Sequence, residues 1–337
     1  MLYPYRFTPL LVERVWGGNA LARYGKTLPP GKRIGESWEI SDRDGARTQV
    51  ANGPLKYKTI RQLIELLGPQ FLGTNAPDPR YFPLLIKLLD CRERLSLQVH
   101  PPAAIAPSLG GEPKTEMWYT LEADPDAHLI AGLHRGVTRE DFLRALEWLQ
   151  GPRTVPKPKS IEECVYRFPV SKGDTFFVPS GRLHAIDAGV VLVEIQQNSD
   201  TTYRVYDWDR VGLDGKPRQL HVRESLACID FQDFEPKKAV PRVEDVTGNT
   251  LVRLVECDKF HVHKIELANA WPDRCDGTTF HILTCLKGAL GILTPDGRTE
   301  RLTTGEFALL PAGLGHYTLA PQAEITHALK TFLPKSA

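Results

Sequence analysis

The sequence predicts a mainly β protein in which a sandwich or barrel occurs twice, and three observations support this. Short apolar runs rich in Val, Ile, Phe and Tyr are bounded by turn residues, with Gly and Pro each occurring 27 times among 337 residues. The pattern G-x5-P-x-G-x2-H occurs at 173–184 and again at 305–316 without a gap. Strands and helices do not alternate along the chain, which argues against a doubly wound α/β fold.

Two amphipathic helices are expected beside the β core. Thr59 can cap a helix whose apolar positions at 60–67 fall on one face. Thr138 and Asp141 form the start of a capping box, and the apolar stripe that follows them ends at Gly151. Both helices are predicted to serve packing.

Two polar stretches indicate connections between elements. Residues 151–160 are rich in Pro and Lys and predict a loop. Residues 231–249 predict the link between two domains, which we expect to span 1–235 and 236–337.

Composition excludes several classes of partner. Lys and Arg number 42 and Asp and Glu 41, so neither nucleic acid nor an anionic membrane surface is expected to bind. No apolar run approaches the roughly 20 residues that span a bilayer, and the first residues lack the pattern of a signal peptide. The six cysteines are scattered without a CxxC pair, so we expect reduced thiols in a cytoplasmic protein.

The repeated pattern has a simple structural interpretation. Its first glycine permits a tight turn, the apolar run forms a strand, Pro-x-Gly turns the chain, and the histidine lies at the start of the next strand. The pattern resembles the second motif of the cupin jelly roll. The resemblance implies two cupin (jelly-roll) barrels with a few accessory helices.

A metal site is predicted in the first barrel. Gln98 and His100 are two apart in an expected strand and therefore face the same side. With Glu116 and His184 they form a plausible site for a divalent metal with an open position. The region before His316, at 280–285, lacks a QxH or HxH pair and no KxE follows it, so the C-terminal barrel is expected to be structural and free of metal.

Four segments carry a more specific resemblance: LSLQVHP, GEPKTEMWY, VPSGRLHAI and QQNSDTTYRVYDWDR, in this order. Together with WGG at 16–18 and GESWEIS at 35–41, they resemble type I mannose-6-phosphate isomerases (phosphomannose isomerases) of the bacterial short form. The resemblance is close over about the first 230 residues, and the C-terminal part fits in architecture more than in motif.

The resemblance implies one zinc ion per chain and a role for each matching residue. One departure is Pro113, where some longer relatives have a histidine once considered for proton transfer, so a mechanism that needs that histidine does not apply here. The implied metal ligands are Gln98, His100, Glu116 and His184; the catalytic residues are Arg204, Lys114 and Asp200; Lys87 is a buried lysine near the site, and Glu36 and Trp16 are further candidates for binding substrate.

The implied reaction interconverts mannose 6-phosphate and fructose 6-phosphate through a cis-enediol. It needs a base for the C–H proton and a stabiliser for the charge that develops on O1 and O2. Arg204 stays protonated and is assigned electrostatic stabilisation. The base remains open among Lys114, Glu36, Asp200 and a zinc-bound hydroxide. No P-loop is present, so scattered Lys and Arg side chains are expected to hold the phosphate.

Other functions were weighed against this one. A metal-containing bicupin that binds sugar without catalysis could keep the metal ligands but would not need Lys114, Asp200 and Arg204 together. A cupin isomerase for another sugar phosphate, such as glucose 6-phosphate, is the nearest enzyme alternative. A cupin dioxygenase is disfavoured because a Gln ligand and a zinc-type site do not suit O2 chemistry.

Overall fold

The computed structural model describes residues 2–151 and 158–335, and it is mainly β, as predicted. Its strands form two successive sandwiches, each made of two facing antiparallel sheets. The loop predicted at 151–160 lies mostly outside the described residues. In the described part of the chain, no helix has the length and apolar character needed to cross a bilayer.

Fifteen strands belong to the first sandwich and its two short accessory ladders. They are β1 (Phe7–Thr8), β2 (Leu10–Gly18), β3 (Ile34–Ile40), β4 (Asp42–Arg43), β5 (Ala46–Arg47), β6 (Gln49–Val50), β7 (Leu84–Cys91), β8 (Leu97–Val99), β9 (Glu116–Ala123), β10 (His128–Leu133), β11 (Val165–Pro169), β12 (Thr175–Val178), β13 (His184–Ile186), β14 (Val190–Gln197) and β15 (Tyr203–Tyr206).

The two main sheets of this sandwich have the orders β12-β9-β14-β7-β3-β2 and β11-β10-β13-β8-β15. Alternation along each strand assigns its residues to two faces. In β14, for example, Val190 and Leu192 pack between the sheets, whereas Val191 and Val193 pack on the outer side. The strands therefore have apolar residues on both faces, because helices and the second sandwich cover their outer sides.

Both predicted helices are present and begin as predicted. The side chain of Thr59 caps the first of them, and Thr138 forms a reciprocal capping box with Asp141. Sequence analysis missed three shorter helices. The helices are α1 (Ile60–Leu67), α2 (Pro69–Leu72), α3 (Arg139–Gln150), α4 (Ile161–Cys164) and α5 (Val222–Cys228), with 3-10 turns at Ala20–Tyr24 and Ala106–Leu109.

The capping box of α3 leads to a stability prediction. Thr138 Oγ1 accepts a hydrogen bond from the Asp141 amide at 3.1 Å, and Asp141 Oδ2 accepts one from the Thr138 amide at 3.1 Å. Thr138→Ala is expected to lower the free energy of unfolding by about 1 kcal/mol, because the first turn loses a partner for its amide. Urea unfolding measures this. Thr138→Ser is the control, and an equal loss in both variants would contradict a capping role.

The second sandwich contains a six-stranded and a four-stranded sheet, with the orders β16-β17-β18-β25-β20-β23 and β19-β24-β21-β22. Its strands are β16 (Arg242–Val246), β17 (Asn249–Glu256), β18 (His261–Leu267), β19 (Trp271–Cys275), β20 (His281–Lys287), β21 (Ala289–Leu293), β22 (Thr299–Thr303), β23 (Phe307–Leu310), β24 (Gly315–Pro321) and β25 (Thr326–Phe332).

The predicted link at 231–249 is partly wrong. Its last third contains strand β16, which pairs with β17 along its whole length. Residues 242–245 are exposed, so β16 lacks the alternation of buried and exposed positions that identifies a strand in a sequence. Pairing with β17 overrides this weak local signal.

The two sandwiches share one apolar core. Tyr5 forms a strand-like bridge to Leu309, with N–H···O distances of 2.8 and 2.9 Å in the two directions. The rings of Phe82 and Phe280 pack with centroids 4.7 Å apart. The predicted division into 1–235 and 236–337 falls between the two sandwiches. That these are separate domains stays a prediction, because apolar packing continues across the division.

Each copy of the repeat forms the expected strand, but the two histidines differ in burial. Gly173 and Gly305 have φ of 88° and 84°, and each precedes the expected strand, β12 or β23. His184 is buried in the sandwich, whereas His316 is exposed. In the second copy Tyr317 packs in the core instead. A shift of one residue along a strand is enough to change the face a side chain occupies.

Candidate active site

One row of polar side chains runs across three neighbouring strands of the five-stranded sheet. Gln98 on β8 lies opposite His184 on β13, and on its other side opposite Arg204 on β15. The neighbours Leu97 and Val99 pack into the outer core, so the alternation of β8 places Gln98 on the inner face. The row therefore lies inside the sandwich.

A second polar row lies on the facing sheet. Glu116 begins β9, Glu194 lies within β14, and Lys87 lies directly opposite Glu194 on β7. All three side chains are buried. They lie on the same inward face as Leu192 and Leu89, nearer one end of the sandwich. Two polar rows on facing sheets thus enclose a site at that end.

Two histidines and one glutamate converge at the centre. His100 Nε2 lies 3.2 Å from Glu116 Oε2, and His184 Nε2 lies 3.6 Å from Glu116 Oε1. One ligand atom from each of the three residues lies within 4.8 Å of the others. All three side chains are about 1% exposed.

The hydrogen bonds of the two imidazoles define their tautomers. His100 Nδ1 lies 3.0 Å from the carbonyl of Thr201, and His184 Nδ1 lies 2.9 Å from the carbonyl of Arg182. A carbonyl only accepts, so each Nδ1 carries the hydrogen and each Nε2 presents a lone pair in the neutral ring. Backbone carbonyls commonly orient metal-binding histidines in this way.

Electrostatics keep these groups in the forms that bind metals. Burial, with help from Lys114, lowers the pKa of His100 to about 3, and burial also lowers the pKa of His184. Burial acts to raise the pKa of Glu116, but Lys114 and the two histidines outweigh it and hold this pKa well below its usual range. The cluster is thus two neutral imidazoles and one carboxylate.

These atoms fit a bound cation. Glu116 Oε1 and Oε2 and His100 Nε2 are buried without a hydrogen-bond partner, which is costly unless another group satisfies them. Gln98 Nε2 lies 3.3 Å from His184 Nε2. Turning the Gln98 amide would direct its oxygen to the same point. Two imidazoles, a carboxylate and an amide oxygen form a donor set for a divalent metal.

A series of charged side chains adjoins the cluster. Glu36 accepts hydrogen bonds from Arg14 Nε at 2.8 Å and Trp38 Nε1 at 2.6 Å. Lys87 Nζ lies 3.0 Å from Glu194 Oε1 and 3.9 Å from Glu36 Oε2. The charges of these side chains therefore alternate in sign, from Arg14 through Glu36 and Lys87 to Glu194.

The alternating charges influence the pKa values of these side chains. Burial acts to raise the pKa of Glu36, but Lys87 and Arg14 outweigh it and bring this pKa to about 2. Burial acts to lower the pKa of Lys87, but Glu194 and Glu36 raise it above its usual range. The pKa of Glu194 is raised, mainly by burial.

A cavity of about 280 Å³ opens beside the cluster. Gln98 and Lys114 line it, and Lys114 Nζ lies 3.1 Å from Glu116 Oε2, so both link the cavity to the cluster. Five cationic and three carboxylate side chains line the wall, which leaves an excess of positive charge for an anionic ligand. These are Arg14, Lys87, Lys114, Arg204, Arg218, Glu36, Glu194 and Asp200.

Arg204 has an unusual environment within this wall. Its Nη1 donates to the carbonyl of Gln219 at 2.8 Å, but its buried Nε has no hydrogen-bond partner. Burial, reinforced by the nearby Arg218, lowers the pKa of Arg204 to about 10. Asp207 holds Arg218 through two hydrogen bonds of 2.7 and 2.5 Å. Arg204 is therefore a cation with an unused donor near the cavity.

The structure brings all ten predicted site residues together. Seven of them line the cavity, and His100, Glu116 and His184 lie buried beside it. Asp200 is exposed at the rim, and Trp16 is buried in the adjoining core. Sequence analysis missed five other polar lining residues: Arg14, Ser96, Glu194, Thr202 and Arg218.

Comparison with known proteins gives the family. Residues 5–116 match the family described as phosphomannose isomerase type I, catalytic domain. Mannose-6-phosphate isomerase ManA of Bacillus subtilis is 35% identical over 332 residues, which cover 95% of this chain and 97% of that protein. The chain belongs to the type I phosphomannose isomerase family. The predicted family resemblance and the predicted class of enzyme, an isomerase, are therefore confirmed.

Other members of the family support this assignment. The mannose-6-phosphate isomerase of Streptococcus mutans is 32% identical over 304 residues, 89% of each protein. The crystal structure of the mannose 6-phosphate isomerase from Bacillus subtilis matches with a TM-score of 0.85 at 30% identity, covering 97% of this chain and 99% of that one. A structure from Archaeoglobus fulgidus, at 19% identity and a TM-score of 0.75, shows the shared fold.

The exposed position of His316 leads to a second prediction. His316→Ala is expected to leave metal content and turnover nearly unchanged and to alter the free energy of unfolding by less than about 0.5 kcal/mol, because the side chain is solvated. Elemental analysis and steady-state kinetics measure these effects. His184→Ala is the matched control from the first repeat. Loss of a metal ion together with His316 would overturn the expectation.

Proposed function

We propose that this isomerase interconverts mannose 6-phosphate and fructose 6-phosphate, with one zinc ion bound by Gln98, His100, Glu116 and His184. The proposal depends on one observation above all. Buried lone pairs of His100, Glu116 and His184 converge beside a cavity with cationic walls. All six cysteines are free, which supports a reducing compartment, and we propose the cytoplasm as the location.

The donor set favours zinc over calcium and magnesium. Imidazole nitrogens with one carboxylate suit zinc, whereas calcium and magnesium prefer an all-oxygen environment. When bound at the cluster, zinc supplies positive charge that stabilises anionic oxygens.

The cationic wall suits a phosphorylated sugar. A phosphate carries close to two negative charges near neutral pH, and even without Lys114 the lining has four cations and three carboxylates. Asp207 fixes Arg218, so this guanidinium keeps its position when a ligand arrives. We propose that the phosphate binds among these cations while the sugar carbons lie near Lys114.

The reaction moves one proton between neighbouring carbons. We propose that Lys114 acts as the base that removes the proton from C2 of open-chain mannose 6-phosphate. The C–H electron pair forms the C1=C2 bond of the cis-enediol, and the negative charge that develops on O1 is stabilised by Arg204. Return of that proton from Lys114 to C1, with transfer of the O2 proton to O1, gives fructose 6-phosphate.

Local charges favour this division of roles. Glu36 is a weak base, because Lys87 and Arg14 hold its pKa near 2. Lys114 lies next to Glu116 and lines the cavity. Asp200 is exposed in the same wall, and we propose that it exchanges hydroxyl protons with solvent.

Proton NMR of the sugars provides a direct test. The zinc-loaded protein should convert mannose 6-phosphate to fructose 6-phosphate and also catalyse the reverse reaction. Glucose 6-phosphate is the comparison substrate, because it tests the nearest alternative. Conversion of glucose 6-phosphate alone would contradict the proposed substrate, and no conversion of either sugar would favour a binding protein.

A further inference from the structure

The second sandwich has its own inward-facing polar cluster, which sequence analysis missed. His261 and His263 are two apart on β18, so both side chains lie on one face of the strand. Ile265 and Leu267 continue that face into the core of the second sandwich. The two histidines therefore lie on the inner side of the sandwich, at one end.

A glutamate on the neighbouring strand completes a group of three. Glu256 on β17 lies directly opposite His261, and its Oε1 lies 2.9 Å from His263 Nε2. One ligand atom from each of the three residues lies within 4.8 Å of the others. Tetrahedral coordination with bonds of roughly 2.1 Å places ligand atoms about 3.4 Å apart. His263 Nε2 donates its hydrogen to Glu256 in this contact, so binding of one ion requires small side-chain movements and a shift of that hydrogen to Nδ1.

Surrounding contacts hold these ligands in place. Arg253 Nη1 donates to Glu256 Oε1 at 2.9 Å, which orients the carboxylate and leaves the other oxygen available. The edges of His261 and His263 pack on the ring of Phe332, with centroid distances of 5.3 and 5.1 Å. Such outer contacts are typical of metal sites, because they orient the ligands before an ion binds.

A third imidazole, that of His281, lines a second cavity, which His261 also lines. Tyr317 donates its hydroxyl hydrogen to Asp273 at 2.8 Å, so its oxygen accepts from His281 Nδ1 at 2.7 Å. His281 Nε2 is then left with a lone pair in the neutral ring. Lys330 also donates to Asp273, at 2.6 Å, so its charge is balanced within this network. The cavity, of about 670 Å³, has room for a further ligand beside an ion.

We propose that His261, His263 and Glu256 bind a second divalent transition metal of the zinc type, with an open position facing this cavity. Two imidazoles and one carboxylate form the donor set of many three-ligand zinc sites. The expectation of a metal-free C-terminal barrel considered only His316 and residues 280–285. The proposed ligands instead come from β17 and β18.

Zinc content of four forms of the full chain tests the proposal. The wild type, His100→Ala/His184→Ala, His261→Ala/His263→Ala and the combination of all four substitutions are stripped with a chelator, incubated with zinc and dialysed. Elemental analysis should give two, one, one and no zinc ions per chain. Failure of the first site alone would remove the proposed catalytic metal, and failure of the second alone would overturn this inference.

A spectroscopic titration covers the case in which a double variant folds poorly. Cobalt(II) added to His100→Ala/His184→Ala should develop the visible absorption of a four-coordinate ion. A single further substitution, His261→Ala, should abolish that absorption, while His327→Ala on β25, outside this cavity, should leave it unchanged. The proposal is overturned if cobalt absorption persists without His261 or if the wild type binds one zinc that disappears with His100 and His184.

Isomerase turnover separates the two sites further. His261→Ala/His263→Ala should keep turnover within about twofold of the wild type, because neither residue lines the cationic cavity. With the first site disabled by His100→Ala/His184→Ala, added zinc should still raise the melting temperature, because an ion would join β17 to β18. No zinc-dependent shift in that variant would contradict the second site.

Discussion

Chelation is expected to abolish isomerase activity, and zinc should restore it. The physical reason is the set of buried lone pairs on His100, Glu116 and His184, which one bound metal ion would satisfy together. Without an ion, the cavity also loses the positive charge that would stabilise an oxygen anion. We expect His100→Ala and His184→Ala each to reduce bound metal, and the double variant to lose one equivalent per chain and nearly all turnover.

The matched comparison pairs His184 of the cluster with a histidine outside it. His316→Ala and the His184→Ala variant alter equivalent positions of the two repeats, but only His184 contacts Glu116. Metal content of purified chains and kcat of zinc-loaded chains should therefore separate the two variants. If His100→Ala/His184→Ala kept the full metal content of the wild type, the ligand assignment would be wrong.

The fold was predictable where local signals and tertiary packing agree. Thr59 and Thr138 both cap helices as expected, because a capping box is a local hydrogen-bond pattern. Helix α5 was missed because it is short and the residue before it, His221, provides no side-chain cap. Strand β16 was missed because its exposed residues follow no alternation and only pairing with β17 defines it.

The site was predictable where a motif contains its own residues. The segment LSLQVHP places Gln98 on the inner face by alternation, and family resemblance identifies its role. Glu194 was missed, although the sequence contains a hint of its role. It is the single charged residue in the apolar run VVLVEIQQ. Its contact with Lys87 requires the pairing of β14 with β7, which no local pattern specifies.

The exposure of His316 shows that equivalent positions in a sequence repeat can place their side chains on different faces. Both repeats place a histidine at the start of a strand, but the positive-φ glycine that precedes it differs. In the first repeat this is Gly181, with φ of 91°, and in the second it is Gly315, with φ of 82°. The one-letter pattern is therefore retained while the side chain changes face.

Arg204→Ala is expected to lower kcat by roughly 10²-fold or more, which is the scale observed when one preorganised charge stabiliser is removed. Arg204 keeps a buried Nε donor without a partner, and the lowered pKa of about 10 still leaves it cationic near neutral pH. The donor is thus available for charge that exists only during the reaction. An interaction limited to the transition state changes kcat more than KM.

Two further variants distinguish this role from phosphate binding. Arg204→Lys should recover only part of the rate, because a point charge does not reproduce the planar fork of a guanidinium. Arg218→Ala removes a lining cation that Asp207 already binds, and its effect should fall mainly on KM if it contributes to phosphate binding. Metal content should remain normal in all three variants, since neither arginine belongs to the cluster. Steady-state kinetics on mannose 6-phosphate decides the matter, because an Arg204→Ala enzyme with raised KM and unchanged kcat would make Arg204 a phosphate ligand.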